Sequence, residues 1–343
     1  MMSINSKSVQ ALLYLRGEIP DDYRVVAWKA LLSLPANSGS FKELIRRGPH
    51  PLAVATVVRY PLRDRKVARK LTVLVSALAH WSAVFGVAEF VPSWVFPFVV
   101  VFGQDDLGAF EAALSFLLHW GSRLLVNFPQ PPMPILAIME SSLQHHDPRI
   151  SNHLRGLGVG ALSFGWPMLR SAFTEVLSRS DWLRLCDHLF ANANDPTLLE
   201  AAGVAFVVVL RGPLLTISSH KEMEFFFRTQ QAVDIAEMLR VTHLITREMR
   251  EEGGRGRDAK DMLFGLSPVR RYNPLPQGSY PPFNGFRDFI LDYQAQQREK
   301  IATEEREMRR KRLVVDLEQR AEDIGQDRFP SLEMVPGADR NIY

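Results

Sequence analysis

Apolar residues recur along the chain at helical spacing, in stretches bounded by Asp, Ser, Gly and Pro, while alternating strand-like runs are scarce. The fold class this predicts is all-α. Asp21 and Asp22 are expected to cap a helix carrying Val25, Val26, Trp28, Ala30, Leu31 and Leu32, stopped at Leu34-Pro35. Ser40 is expected to cap Phe41 to Arg46, with Gly48 ending that helix, and another runs from Arg65 to about Ala83 after the Pro61 break. Asp105 or Asp106 caps Leu107 to Phe128, which Pro129-Gln130-Pro131-Pro132 terminates. Further helices are predicted over 135–144, 150–157, 167–179 and 182–192. One over 197–210, apolar apart from Glu200, is central to a second core, and 221–249 reads as a single long helix.

The implied organisation is a helical lead-in over 1–16 and two packed helical subdomains over 17–147 and 148–250. A Pro- and Gly-rich linker at 251–283 carries Pro268, Pro274, Pro276, Pro281 and Pro282. A charged helix over 284–324 and a tail over 325–343 follow. The Arg298 to Arg312 run contains no Gly or Pro, and Ile301, Met308 and Val315 recur every seven residues. That pattern fits a helix that pairs with a partner and equally a solvated helix supported by ion pairs.

Composition narrows the function classes. With 343 residues and 46% hydrophobic content the chain can bury a large core. Its 41 Lys plus Arg against 38 Asp plus Glu leave a net charge of +3, too small to imply nucleic-acid binding. Cys186 is the only cysteine, which excludes an internal disulfide framework and a Cys-based zinc site and fits a cytoplasmic location. The N-terminus lacks the basic and apolar regions of a secretory signal. The apolar stretch Leu71 to Phe102 is divided by Gly86, Pro92 and Pro97, so buried helices are expected there and no transmembrane segment.

Motifs for covalent chemistry are missing. No Gly-rich loop stands between a strand and a helix, so no nucleotide cofactor is expected. His145-His146-Asp147 is the densest set of potential metal ligands, but adjacent side chains do not share a helix face; a helix C-terminal region is expected and no metal. Cys186 and His188 point apart on a helix, and Ser163 to Trp166 lacks the nucleophile-elbow pattern. Trp28, Trp81, Trp94, Trp120, Trp166 and Trp182 sit in apolar helical context and are read as core.

One set of marks is more specific. Tyr23-Arg24 with Trp28 and Leu31-Leu32, then Tyr60-Pro61, Leu78, Phe96-Pro97-Phe98, Phe110-Glu111 and Trp120 follow one another across roughly Gly17 to Leu215. In that order they resemble the TBC domain, the helical module that accelerates GTP hydrolysis by Rab GTPases; Arg24 and Trp28 echo its opening R-x-x-x-W helix. Leu78-Ala79-His80-Trp81-Ser82, Phe128-Pro129 with Pro131-Pro132, Trp166-Pro167 and Asp181-Trp182 resemble in particular the member 31 branch of that family. That branch typically places WD repeats before the domain and coiled coil after it, and is associated with centrosomes and cilia. WD repeats are not found here, so the expectation is a fragment or a shorter relative.

The resemblance implies a mechanism and also its loss. Active family members insert an arginine from I-x-x-D-x-x-R and a glutamine from Y-x-Q into the GTPase site. The arginine neutralises charge on the transferred phosphoryl and the glutamine orients water, together worth about 10³–10⁵ in rate. Aligning Tyr60-Pro61 puts Leu52, Ala55 and Val58 at the I, D and R positions, and aligning Gly86 puts Val87 and Glu89 at the tyrosine and glutamine. Both fingers are therefore expected to be missing, with Val58 and Glu89 in their places. Arg59, Arg63 and Arg65, with Glu89, are the partner-binding candidates. Three readings follow: a Rab-binding effector or scaffold without efficient catalysis, an active protein using Arg59 or Arg63, and an inert adaptor that recruits through the C-terminal helix.

Overall fold

A computed structural model describes residues 6–125, 128–253 and 271–281, together with Thr303, Arg306, Glu307 and Arg310, which are helical. The described residues contain helices and no strand. The chain divides into two compact units, Met1–Arg287 and Asp288–Tyr343. Most of the expected charged helix over 284–324 lies outside the described residues.

The first nine helices are α1 (Ser6–Arg16), α2 (Asp21–Leu31), α3 (Ser38–Arg46), α4 (Pro51–Val58), α5 (Arg65–Trp81), α6 (Val84–Val87), α7 (Val91–Phe102), α8 (Asp106–Phe116) and α9 (Ser122–Leu125). The apolar stretch from Leu71 becomes the inner half of α5, then α6 and α7, and α7 lies against α5 and α8. Among the described residues no helix is long and apolar enough to cross a membrane. The second half comprises α10 (Met133–His146), α11 (Pro148–Gly156), α12 (Ala161–Arg170), α13 (Arg179–Ala191), α14 (Leu198–Val209), α15 (Arg211–Thr216), α16 (His220–Phe226) and α17 (Ile235–Gly253). Apart from Glu200, which pairs with Arg123 at 2.6 Å, helix α14 is apolar, and it is buried among α10, α12 and α17 as a central core helix requires.

Trp28 joins the two halves. Its fully buried ring meets Phe190 of α13 edge-on at 4.9 Å and Phe98 of α7 at 6.0 Å. Its indole donates to Asp187 of α13 at 2.7 Å. The same carboxylate accepts from the Arg24 guanidinium at 3.1 Å and from the Ile19 backbone N–H at 3.0 Å. Burial pushes the Asp187 carboxyl up from its ordinary range, and these donors pull it back.

Several boundaries differ from the sequence reading, each for an identifiable reason. Asp21 and Asp22 occupy the first turn of α2 with Pro20 at the cap, where their charge complements the helix dipole. Helix α3 starts at Ser38, two residues before Ser40, because buried Glu111 accepts from the Ala36 and Asn37 backbone N–H groups just ahead of it. The helix expected over 107–128 is interrupted by a π-helical turn at Leu117–Gly121, where Trp94 presses so close that a Cβ on Gly121 would lie 3.2 Å from its ring. The helix expected from Pro167 ends at Arg170, and positive φ angles at Ala172 and Phe173 turn the chain toward the Ser178 cap of α13. The long helix expected from Lys221 is two, because Phe227 is buried, the Gln231 N–H donates to Val176, and Asp234 starts α17 by accepting from Ala236 and Glu237.

The stretch read as a linker shows a further feature. Its described part, 271–281, is neither helix nor strand and is seated on the helical unit: the Tyr272 hydroxyl donates to Leu32 and the Tyr280 hydroxyl to Glu111, while Leu275 is buried.

Candidate functional site

Helix α4 begins with Pro51, whose missing N–H is no loss in a first turn, and ends at Val58 with Arg59 as its C-cap. The chain then turns through Tyr60-Pro61. The Tyr60 ring tilts against Phe96 at 5.7 Å, and burial, the largest influence, holds its hydroxyl proton to about pH 12. Asp64 opens α5 by accepting from the Lys66 and Val67 backbone N–H groups at 2.7 and 3.3 Å. Each end of the 59–63 turn is thereby fixed.

Helix α6 lies in the angle between α4 and α5. A Cβ on Gly86 would sit 3.0 Å from the Ala79 Cβ and 3.2 Å from the Leu52 Cβ, so only glycine lets the three backbones approach this closely. Thr56 fastens the contact, its hydroxyl lying 3.0 Å from the Gly86 carbonyl and 2.8 Å from that of Leu52. The chain leaves α6 in extended conformation at Ala88, and Glu89 emerges beside the end of α4.

The two positions that the resemblance marks for the arginine and glutamine fingers therefore share one surface. Val58 is 78% exposed, an apolar side chain presented to solvent. Arg59 donates from Nη1 to the Glu89 Oε1 at 3.4 Å, with side chains 52% and 62% exposed. An ion pair this exposed stabilises by only about 0.2–1 kcal/mol, so a docking partner can open it at little cost. Arg63 and Arg65 are exposed further along the same turn. The contact between Arg59 and Glu89 was not legible in the sequence, since 30 residues separate them and only the packing of Gly86 on Leu52 brings them together.

Other chemistry-bearing candidates lie elsewhere. His145 and His146 end α10, within 3.9 and 3.2 Å of the Glu248 carboxylate, and the described residues contain no group of three His, Cys, Asp or Glu side chains placed to hold a metal. Cys186 is buried, and burial followed by the Asp187 charge pushes its thiol well above the usual range, opposite to what a nucleophile needs. His188 turns away toward His243, with Nδ1 to Nε2 at 2.9 Å. Ser163 lies within α12 rather than on a strand-to-helix turn.

Comparison with solved structures decides the fold. The chain superposes on the Ypt/Rab-GAP domain of Gyp1p with a TM-score of 0.60 at 15% identity, covering 72% of this chain and 94% of that domain. The chain has the TBC-domain fold. It likewise matches the Chlamydomonas flagellar RabGAP TBC domain with a TM-score of 0.55 at 14% identity, over 71% of this chain and 85% of the other. Among curated proteins it is 36% identical over 320 residues to TBC1 domain family member 31 of Xenopus laevis, and 34% identical over 314 residues to that of Homo sapiens. These alignments take in 93% and 91% of this chain but 28% of either relative, so the chain corresponds to little more than a quarter of those proteins. No family model matches the chain.

Proposed function

We propose that this TBC domain docks a small GTPase of the Rab family on the surface formed by Val58, Arg59 and Glu89, and does so as an effector or scaffold without efficient stimulation of GTP hydrolysis. The observation that carries the reading is the Arg59–Glu89 ion pair. At the position aligned with the family's glutamine stands a carboxylate, which repels a triphosphate where an amide would orient water. The guanidinium next to the aligned arginine position is neutralised by that same carboxylate, and the aligned position itself holds Val58, which has no charge to offer. An arginine finger works by placing unpaired positive charge against the phosphoryl oxygens, and neither residue meets that requirement as it stands.

A second reading has its own support. Arg59 is half exposed and held by a weak surface pair, so a GTPase could draw it away from Glu89 and use it as a non-standard arginine. Single-turnover hydrolysis with a panel of Rab proteins, paired with capture of their GTP-loaded forms, separates the two. Capture without acceleration supports the first reading; acceleration abolished by Arg59→Ala supports the second. A role in vesicle or ciliary trafficking, at a cilium or centrosome, goes with the likeness to member 31 and is part of the same proposal. The adaptor reading places recruitment in the helix over 298–312 and is tested by deleting 284–343, after which the docking reading expects GTPase capture to persist.

A further inference from the structure

The segment Arg271–Pro281 lies along the TBC domain as a bound peptide would. At one end Tyr272 places its ring 5.1 Å from His119 and 6.5 Å from Trp120, and its hydroxyl donates to the Leu32 carbonyl at 2.6 Å. In the middle, Asn37 makes a reciprocal pair, its Nδ2 donating to the Pro276 carbonyl at 2.8 Å and its Oδ1 accepting from the Gly278 N–H at 2.7 Å. The Ser40 hydroxyl donates to the Gly278 carbonyl at 2.7 Å. Tyr280 tilts onto Phe110 at 5.3 Å and donates its hydroxyl to Glu111 at 3.0 Å, the buried carboxylate that also accepts from the backbone ahead of α3. At the far end the Trp81 indole donates to the Pro281 carbonyl at 3.0 Å.

That last contact leads to the candidate docking surface. Trp81 closes α5, and its ring stacks on Phe85 at 5.5 Å with an interplanar angle of 18°. Phe85 is fully buried in α6, the single turn of helix from which Glu89 emerges. A four-residue helix has too few internal hydrogen bonds to hold itself, so its place depends on what packs around it. Gly86 meets Leu52 and Ala79 on one side; Phe85 meets Trp81. The indole of that tryptophan donates in turn to the Pro281 carbonyl of the 271–281 segment.

We propose that Arg271–Pro281 is a strap belonging to the functional TBC unit, and that it positions the Glu89-bearing turn through Pro281, Trp81 and Phe85. Sequence that follows the helical domain thereby sets the geometry of the face assigned above to GTPase docking. The consequence for docking rests on that assignment; the positioning of the turn does not.

The test is amide hydrogen exchange on the full chain. The doubly substituted Leu275→Asp, Tyr280→Ala chain places a charge at a buried site and removes the Glu111 latch, and exchange is expected to quicken across both 271–281 and 84–91, by roughly tenfold in the latter, with α14 and α17 unchanged. Faster exchange at 271–281 with 84–91 unaltered overturns the proposal, as does a strap whose exchange is indifferent to the substitutions. If the double variant loses its helical fold, Trp81→Phe decides instead. It keeps the ring and removes the donor, so 84–91 should again exchange faster, and no change there contradicts the proposal. Capture of GTP-loaded Rab by the same chains is read separately: an unsubstituted chain that captures none overturns the docking reading alone, and the exchange data still decide the strap.

Discussion

Trp28 and Asp187 lie 159 residues apart and share a 2.7 Å hydrogen bond in the interior, where the Arg24 guanidinium reaches the same carboxylate. Both members of the opening R-x-x-x-W helix are thus donors to one buried acceptor on α13. Asp187→Asn keeps the shape and removes the charge, leaving the buried Arg24 guanidinium with Asp21, whose side chain is 81% exposed, as its remaining counter-ion. A loss of about 1.5–3 kcal/mol in unfolding free energy is expected, read from urea denaturation as a lower midpoint at unchanged slope.

His188 supplies a pH dependence. Its Nε2 lies 3.3 Å from the Gly17 carbonyl, which can only accept, so Nε2 carries the proton and Nδ1 accepts from His243. Burial first, then His243, depresses the His188 imidazole to about 4. A base whose folded value lies below its unfolded value of 6.5 contributes stability that is complete above 6.5 and lost as the pH falls toward 4. The expected loss over that window is roughly 3 kcal/mol, and thermal melts of His188→Gln should be flatter than those of the unsubstituted chain between these limits.

Gly86→Ala tests how tightly α6 is wedged. The added Cβ meets the Ala79 and Leu52 Cβ atoms at 3.0 and 3.2 Å, and neither can withdraw without moving a helix. Overpacking of this kind costs about 1–3 kcal/mol, and the Glu89 turn should shift with it. A melting temperature within error of the unsubstituted chain would contradict this packing.

Arg59→Ala removes one member of an exposed ion pair and should change stability by less than about 1 kcal/mol. On the docking reading it weakens capture of a GTP-loaded partner without altering a hydrolysis rate that was never raised. Equal capture by both chains would remove Arg59 from the interface.

Helical periodicity made the all-α architecture legible, along with most elements, because the amphipathic stripe and the cap residues are local signals. It misplaced interruptions that depend on distant partners: the π turn at Leu117–Gly121 answers to Trp94, and the break after α16 to Val176. The motif residues Arg24 and Trp28 stood out, but nothing near them in sequence announced Asp187. The strap was opaque for a related reason. Proline and glycine gave 271–281 the composition of a linker, while its anchors, Tyr272, Leu275 and Tyr280, are isolated side chains with no period to betray them. At the candidate site, Val58 and Glu89 were placed by resemblance, and only the fold showed that Arg59 and Glu89 neutralise one another.

The most direct measurement is single-turnover GTP hydrolysis by purified Rab proteins with and without this chain, alongside capture of their GTP-loaded forms. GTP-dependent capture with hydrolysis at the intrinsic rate is the expected result. Acceleration of about 10³-fold or more would contradict it and show that the Val58, Arg59 and Glu89 surface assembles a working catalytic site.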